Sequence, residues 1–156
     1  MYKKESIVAK IGKSGEDKLK VLLERQGYTV QNYVYDESEK NRKMQGSGID
    51  MKLTKSGLSD IYLDVKTNLI NDDYCYLELS KTELRDGSGW FFKSQADRIY
   101  HYDDTNNTYF YYNLKEMRQK FLNGRIRHGD IFVAKNGTTL KKIHKFALLK
   151  ITLKQQ

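Results

Sequence analysis

The residues in this 156-residue chain whose types and spacing could do chemistry are Asp50, Asp64 and Lys66. Asp50 ends the stretch Gly46-Ser47-Gly48-Ile49-Asp50, and Asp64-Val65-Lys66 follows fourteen residues later. Carboxylates are hard oxygen ligands, suited to Mg²⁺ or Mn²⁺ that keeps several waters. Such an ion polarises a phosphate, lowers the pKa of a bound water and offsets charge on a leaving oxygen. A lysine beside it can orient or deprotonate the attacking water, or stabilise the pentavalent transition state. Two acids and a lysine are therefore the minimum for hydrolysing a phosphodiester. The triplet alone is weak, because Glu16-Asp17-Lys18 and Asp50-Met51-Lys52 repeat the acid-x-Lys pattern. Exposed Asp and Lys on a hairpin would equally serve as cross-strand ion pairs.

The elements that must position these residues can be read from periodicity. Ile49–Thr54 and Asp60–Thr67 alternate as strands around a turn at Lys55–Ser59 containing Ser56-Gly57. Alternation puts Asp64 and Lys66 on one face, with Leu63 and Val65 packing the other. The hairpin returns Asp50 to the level of Asp64, with the register open by one residue. The Gly-Ser-Gly before Asp50 suits a close backbone approach to a ligand. A helix is expected from Ser14, where Ser14 and Asp17 fit a capping pattern, to Gly27. Leu19, Leu22, Leu23 and Gln26 recur at helical spacing, and Glu16 shares the apolar face with Leu19 and Leu23, aimed at the sheet. An acid in a first helical turn is also favoured simply by the helix dipole.

Further strands are expected at Tyr28–Tyr35, Tyr74–Leu79, Ile99–Tyr102, Thr108–Asn113, Asp130–Lys135 and His144–Leu153. Asp36–Gln45 reads as a polar loop, Ser94–Ile99 as a short helix, and Leu114–Leu122 as a helix ended by Asn123-Gly124. The order predicts an α/β (α+β) domain with a mixed sheet flanked by helices. Trp90, Phe91 and Phe92 read as core, although such a run can also stack a base. Asp97 and Arg98 open a strand and read as structural. Glu78 and Lys93 flank the site in sequence, as auxiliary ligand and phosphate contact or as surface ion pairs.

Composition bounds the partners. Hydrophobic residues at 38% and charged ones at 31% fit one globular domain over residues 1–156. The single Cys75 excludes an internal disulfide, and the three scattered histidines show no ligand spacing for zinc. Gly12-Lys13-Ser14-Gly15 lacks the spacing of a phosphate-binding loop, which excludes a P-loop NTPase. The lone cysteine makes a reducing cytoplasm the expected compartment, and no apolar run is long enough to span a bilayer. The net charge of +8 is uneven: residues 1–114 sum to −1 and residues 115–156 to +9. In the basic part, a β-rich extension over about residues 123–156, apolar residues interleave with the charges, so it should fold and present its charge as a surface to a polyanion. A merely solvated tail is the alternative.

With Asp50, Asp64 and Lys66 in these places, the chain resembles the PD-(D/E)xK nuclease superfamily. The segment GEDKLKVLLERQGYTV followed by GSGIDM and LDVKT is similar to archaeal-type Holliday junction resolvases and their phage relatives, and GWFFKSQADRIYHYD resembles a later segment of phage nuclease-like proteins. Ile49 replaces the proline of the motif, and Asp64 stands where Glu is commoner. Gln95 and Tyr100 are one residue too far apart for the Gln-x-x-x-Tyr box of exonuclease-like members. The resemblance implies a restriction-endonuclease-like core and an Mg²⁺-dependent (or Mn²⁺-dependent) endodeoxyribonuclease. Its catalytic residues would be Glu16, Asp50, Asp64 and Lys66, with Glu16, Asp50, Asp64 and the Val65 backbone carbonyl holding the metal. It also implies DNA, including branched DNA, as partner, a homodimer, and host cytoplasm if the source is a phage. Lys13, Ser47, Lys93, Arg125, Arg127, Lys135, Lys141 and Lys142 are the expected nucleic-acid contacts. Restriction- or repair-type cleavage of linear DNA and a non-catalytic nucleic-acid-binding module are the alternatives.

Overall fold

The computed structural model describes residues 6–33, 38–68, 71–126 and 131–153. In chain order the elements are α1 (Ile7–Arg25), β1 (Thr29–Asn32), α2 (Glu39–Gly46), β2 (Met51–Thr54), β3 (Ile61–Asn68), β4 (Tyr74–Ser80) and α3 (Trp90–Lys93). They continue with β5 (Arg98–Asp103), β6 (Thr108–Asn113), α4 (Leu114–Leu122), β7 (Ile131–Val133), β8 (Thr139–His144), a 3₁₀ turn at Lys145–Ala147 and β9 (Leu149–Thr152). The architecture is mixed α+β. A six-stranded sheet runs in the order β1-β2-β3-β5-β6-β9, and β4-β8-β7 form a second sheet. Among the described strands β3 and β5 are the parallel pair, with Asp64 opposite Ile99 and Lys66 opposite His101; the other pairings are antiparallel.

Two apolar layers clamp the main sheet. On one face Leu19 and Leu23 of α1 meet Met51, Leu53, Leu63, Tyr100, Tyr102 and Tyr109, all buried. On the other, Ile99 and Tyr112 pack against Leu77 and Leu79 of β4, Ile143 of β8, Phe91 of α3 and Met117 of α4. Each such side chain contributes about 1.5–3 kcal/mol on removal from water. Asp64 and Lys66 share the second face, as the alternation of β3 requires.

Four local expectations are corrected by the fold. First, α1 begins at Ile7, capped by the Ser6 hydroxyl, so Ser14 and Glu16 are mid-helix. Gly12 and Gly15 are poor helix formers, yet they are contact positions. A Cβ on Gly15 would come within 2.4 Å of the Tyr102 ring. The absent side chain lets α1 lie close on the sheet, a tertiary gain that outweighs local propensity. Second, the loop expected at Asp36–Gln45 contains α2, whose cap is Ser38 accepting from the Asn41 N–H. Third, the short helix falls at Trp90–Lys93 rather than Ser94–Ile99. Fourth, the strand expected at His144–Leu153 is two strands, β8 ending at His144 and β9 starting at Leu149, separated by the 3₁₀ turn. That break sends the two halves to different sheets: β8 pairs with β4, and β9 with β6.

Candidate metal and phosphate site

The antiparallel register of β2 and β3 sets Met51 opposite Leu63. Asp50 therefore stands just before β2 begins, and past that point β3 continues paired with β5 on its other edge. Its Oδ2 accepts a hydrogen bond from the Val65 N–H at 2.9 Å. The N–H and C=O of one residue in an extended strand address the same side, so the Val65 carbonyl is turned toward the Asp50 side as well. Asp64 is buried, 2% exposed, and its Oδ2 lies 3.2 Å from the Lys66 ammonium. The Ser94 hydroxyl approaches the same oxygen at 3.5 Å. Arg118 holds that corner by donating to the carbonyls of Phe91 and Ser94 at 2.7 and 2.6 Å.

The electrostatics of the cluster are those of surplus negative charge. Burial pushes the Asp64 carboxyl up; Lys66 pulls it down, and Asp50, in hydrogen-bond contact, pushes it up again, leaving it raised. Glu16 is raised from 4.5 to about 8, first by burial, then by the charges of Asp50, Asp17 and Asp64. Glu16 is expected to face the sheet, and the charges of Asp50 and Asp64 act on it. Among the described residues, however, no three His, Cys, Asp or Glu side chains are gathered tightly enough to cage an ion by themselves. The fold brings Asp50, Asp64, the Val65 carbonyl and Lys66 together and keeps Glu16 within electrostatic reach. This donor set fits Mg²⁺, which uses one or two carboxylates and fills its octahedron with water and substrate oxygens.

Beside the carboxylates a cleft of about 580 Å³ opens. Ser47, Lys66, Glu78, Trp90 and Lys93, all singled out from sequence, line it, together with Lys81 and Ser88, which sequence reasoning missed. Lys81 and Ser88 lie on either side of a loop after β4, and only the pairing of β4 outside the main sheet brings them here. Phe91 is core, fully buried. Trp90 packs on the core and also forms a cleft wall, with the Lys66 ammonium 4.9 Å from its ring centre. Gly48, at φ +73°, packs on Ser94, where a Cβ would meet the hydroxyl at 2.7 Å, and Gly46 and Gly48 line the cleft. Asp97 is structural, accepting from the Tyr62 N–H at 2.8 Å.

The basic contacts expected in the C-terminal quarter do not form one face. Lys141 and Lys142 alternate across β8. Lys141 is buried at 9% exposed, so it is corrected from a nucleic-acid contact to an interior residue. Lys142 lies over the rings of Tyr74 and Phe132 at 5.2 and 5.5 Å. Lys13, Arg125 and Lys135 are exposed and stand outside the cleft lining, and Arg127 lies outside the described residues.

No protein-family model and no curated protein matches the sequence. Among solved structures, the chain is similar to a bacterial homing endonuclease, I-Ssp6803I. The TM-score is 0.46 and the identity 9%, with 98% of this chain and 80% of that one covered. No helix among the described residues is long and apolar enough to cross a membrane.

Proposed function

We propose that this protein is a metal-dependent DNA endonuclease selective for branched DNA, of the Holliday junction resolvase type, acting as a homodimer. One observation carries the reading: Asp50 and Asp64 meet at the point where β2 begins, with Lys66 3.2 Å from Asp64 at the wall of a lysine-lined cleft. Asp50, Asp64 and the Val65 carbonyl are the groups that would hold Mg²⁺, with Glu16 within electrostatic reach of both aspartates. When bound, the ion would polarise the phosphate, acidify an attached water and neutralise the leaving oxygen.

The protein's own groups do the rest. Lys66, its ammonium paired with Asp64 at 3.2 Å, is the group that would face the phosphoryl oxygens and the attacking water. Trp90 beneath Lys66 limits where that ammonium can swing, which is preorganisation of the kind that stabilises a transition state. The reaction consumes one water, breaks one P–O bond and leaves a phosphomonoester and an alcohol. Cutting both strands of a junction symmetrically needs two sites related by a two-fold axis, hence the proposed dimer.

The test is a panel of labelled four-way junctions, flaps and linear duplexes with Mg²⁺ or Mn²⁺, using wild type and Asp64→Ala. Junction cleavage that disappears in EDTA and in the variant supports the reading. Full activity in EDTA, or in Asp64→Ala, sinks it; preference for linear duplex moves the assignment to a restriction- or repair-type enzyme.

A further inference from the structure

The cleft beside the carboxylates is larger than a scissile phosphate and one water require. At about 580 Å³ it lies within the range of small-molecule sites, room for a whole nucleotide. Its chemistry is mixed in a specific way. Lys66, Lys81 and Lys93 contribute three ammonium groups, against the single carboxylate of Glu78 among the described lining residues. Glu78 is engaged: its Oε1 accepts from the Trp90 backbone N–H at 3.3 Å, which ties β4 to the start of α3. Lys66 is paired with Asp64. Lys81 and Lys93 form no side-chain ion pair or hydrogen bond with described residues.

The mouth is stiff. Buried Ser80 donates to Asp86 at 2.6 Å, and Ser88 accepts from the Lys81 N–H at 2.9 Å. Gly89 could not carry a side chain, since a Cβ there would sit 2.2 Å from the Glu78 carbonyl. Lys81 is thus held on a braced loop, and Lys93, which ends α3, lines the same cleft.

From this we infer that the cleft is a subsite for one unpaired deoxynucleotide next to the scissile phosphate, its base against Trp90 and its backbone phosphate between Lys81 and Lys93. The inference rests on the nuclease reading for its position relative to the cut. A continuous duplex keeps its bases stacked inside and cannot offer one to a pocket wall. Strand ends, flaps and opened junction arms can. The subsite therefore favours substrates with a frayed or single-stranded nucleotide at the cut.

Trp90 is the only tryptophan in the chain, so its fluorescence reports the subsite directly. Asp64→Asn protein, which leaves DNA intact, is titrated with a 5′-phosphorylated 12-nucleotide strand and with the blunt duplex of the same sequence; occupancy is read by anisotropy of a 3′ dye. The single strand should quench Trp90 at saturation, and the duplex should not. Lys81→Gln with Lys93→Gln, both surface changes checked by circular dichroism, should weaken single-strand binding roughly 5- to 100-fold, the range of one stacked and paired nucleotide, with duplex binding changed less than about threefold. Equal quenching by duplex, or equal weakening of both ligands, overturns the subsite. Tighter quenching by the RNA strand overturns its assignment to DNA. Metal-dependent cleavage by wild type with unchanged Trp90 fluorescence removes the subsite alone. Strand-selective quenching without any cleavage removes the nuclease reading and leaves the subsite standing.

Discussion

Two buried aspartates in this protein stand beside lysines, and their environments differ in sign. Asp64 and Asp103 are each 2% exposed, with ammonium groups at 3.2 and 3.1 Å. Around Asp103 the shell is complete. The Asn106 side chain and N–H donate at 3.0 and 3.3 Å, and Lys145 also donates to the Asp72 carbonyl at 2.6 Å. Burial alone would raise Asp103, but Asn106 and Lys145 outweigh it and hold the carboxyl below its ordinary range. Around Asp64 the second carboxylate of Asp50 takes the place of such donors, and the group is raised. His101 lies between the two lysines in charge terms. Burial first, then Lys66 and Lys145, lower it to about 3, so it stays neutral and hydrogen-bonded to the Tyr112 hydroxyl at 2.8 Å. The lesson is that an Asp–Lys contact does not define a role. A satisfied pair is structure, and an under-satisfied one is a candidate site.

The largest effect that could break this contrast is catalytic. Asp64→Asn or Lys66→Ala should lower metal-dependent cleavage by about 10³-fold or more while DNA affinity stays within roughly threefold. Asp103→Asn, assayed at a temperature where it is folded, should cleave within about threefold of wild type. A loss at Asp103 equal to that at Asp64 would erase the distinction. Next comes stability. Lys145→Ala strands a buried carboxylate and should cost about 3–5 kcal/mol in urea unfolding.

The pH dependence sharpens the contrast further. Glu16 is raised from 4.5 to about 8 in the fold, so its neutral form folds without penalty below pH 4.5. The penalty grows as pH rises toward 8. Metal-free wild type should therefore melt a few degrees lower at pH 8 than at pH 5, and Glu16→Gln should make that slope shallower, leaving the part due to Asp64. Asp103 acts oppositely: its stabilisation is present above the ordinary 3.8 and is lost as pH falls through its lower folded value. A Glu16→Gln slope identical to wild type would show that the surplus charge is absent. The smallest effect separates the basic residues. Lys135→Gln should reduce the salt dependence of DNA binding by about one counterion if it touches phosphate. Lys141→Gln should leave that slope alone and cost about 1 kcal/mol of stability through its buried stem.

Much of the site was legible before any fold was known. Period-two alternation put Asp64 and Lys66 on one face of β3, and helical spacing aimed Glu16 inward, because both patterns are local consequences of backbone geometry. Where the reading slipped, a longer-range contact had outweighed a local signal. The helix reads as starting at Ser14, yet it runs from Ile7 through Gly12 and Gly15, where the Tyr102 ring takes the space a side chain would need. Lys141 and Lys142 read as a basic pair, yet β8 turns one inward between Thr139 and Ile143. Lys81 and Ser88 carried no sequence signal, since nothing local says that the loop after β4 folds back beside β3.

The sequence by itself determined the residue types, the hairpin and the inward helix face, because dihedral preference and hydrophobic period act over a few residues. Only the tertiary structure decided that Asp50 reaches the Val65 amide, that Asp64 is dehydrated beside it, and that two sheets meet to form the cleft. Burial and charge proximity depend on residues distant in the chain, and those are what turn an ordinary Asp-Val-Lys into a place where positive charge is wanted.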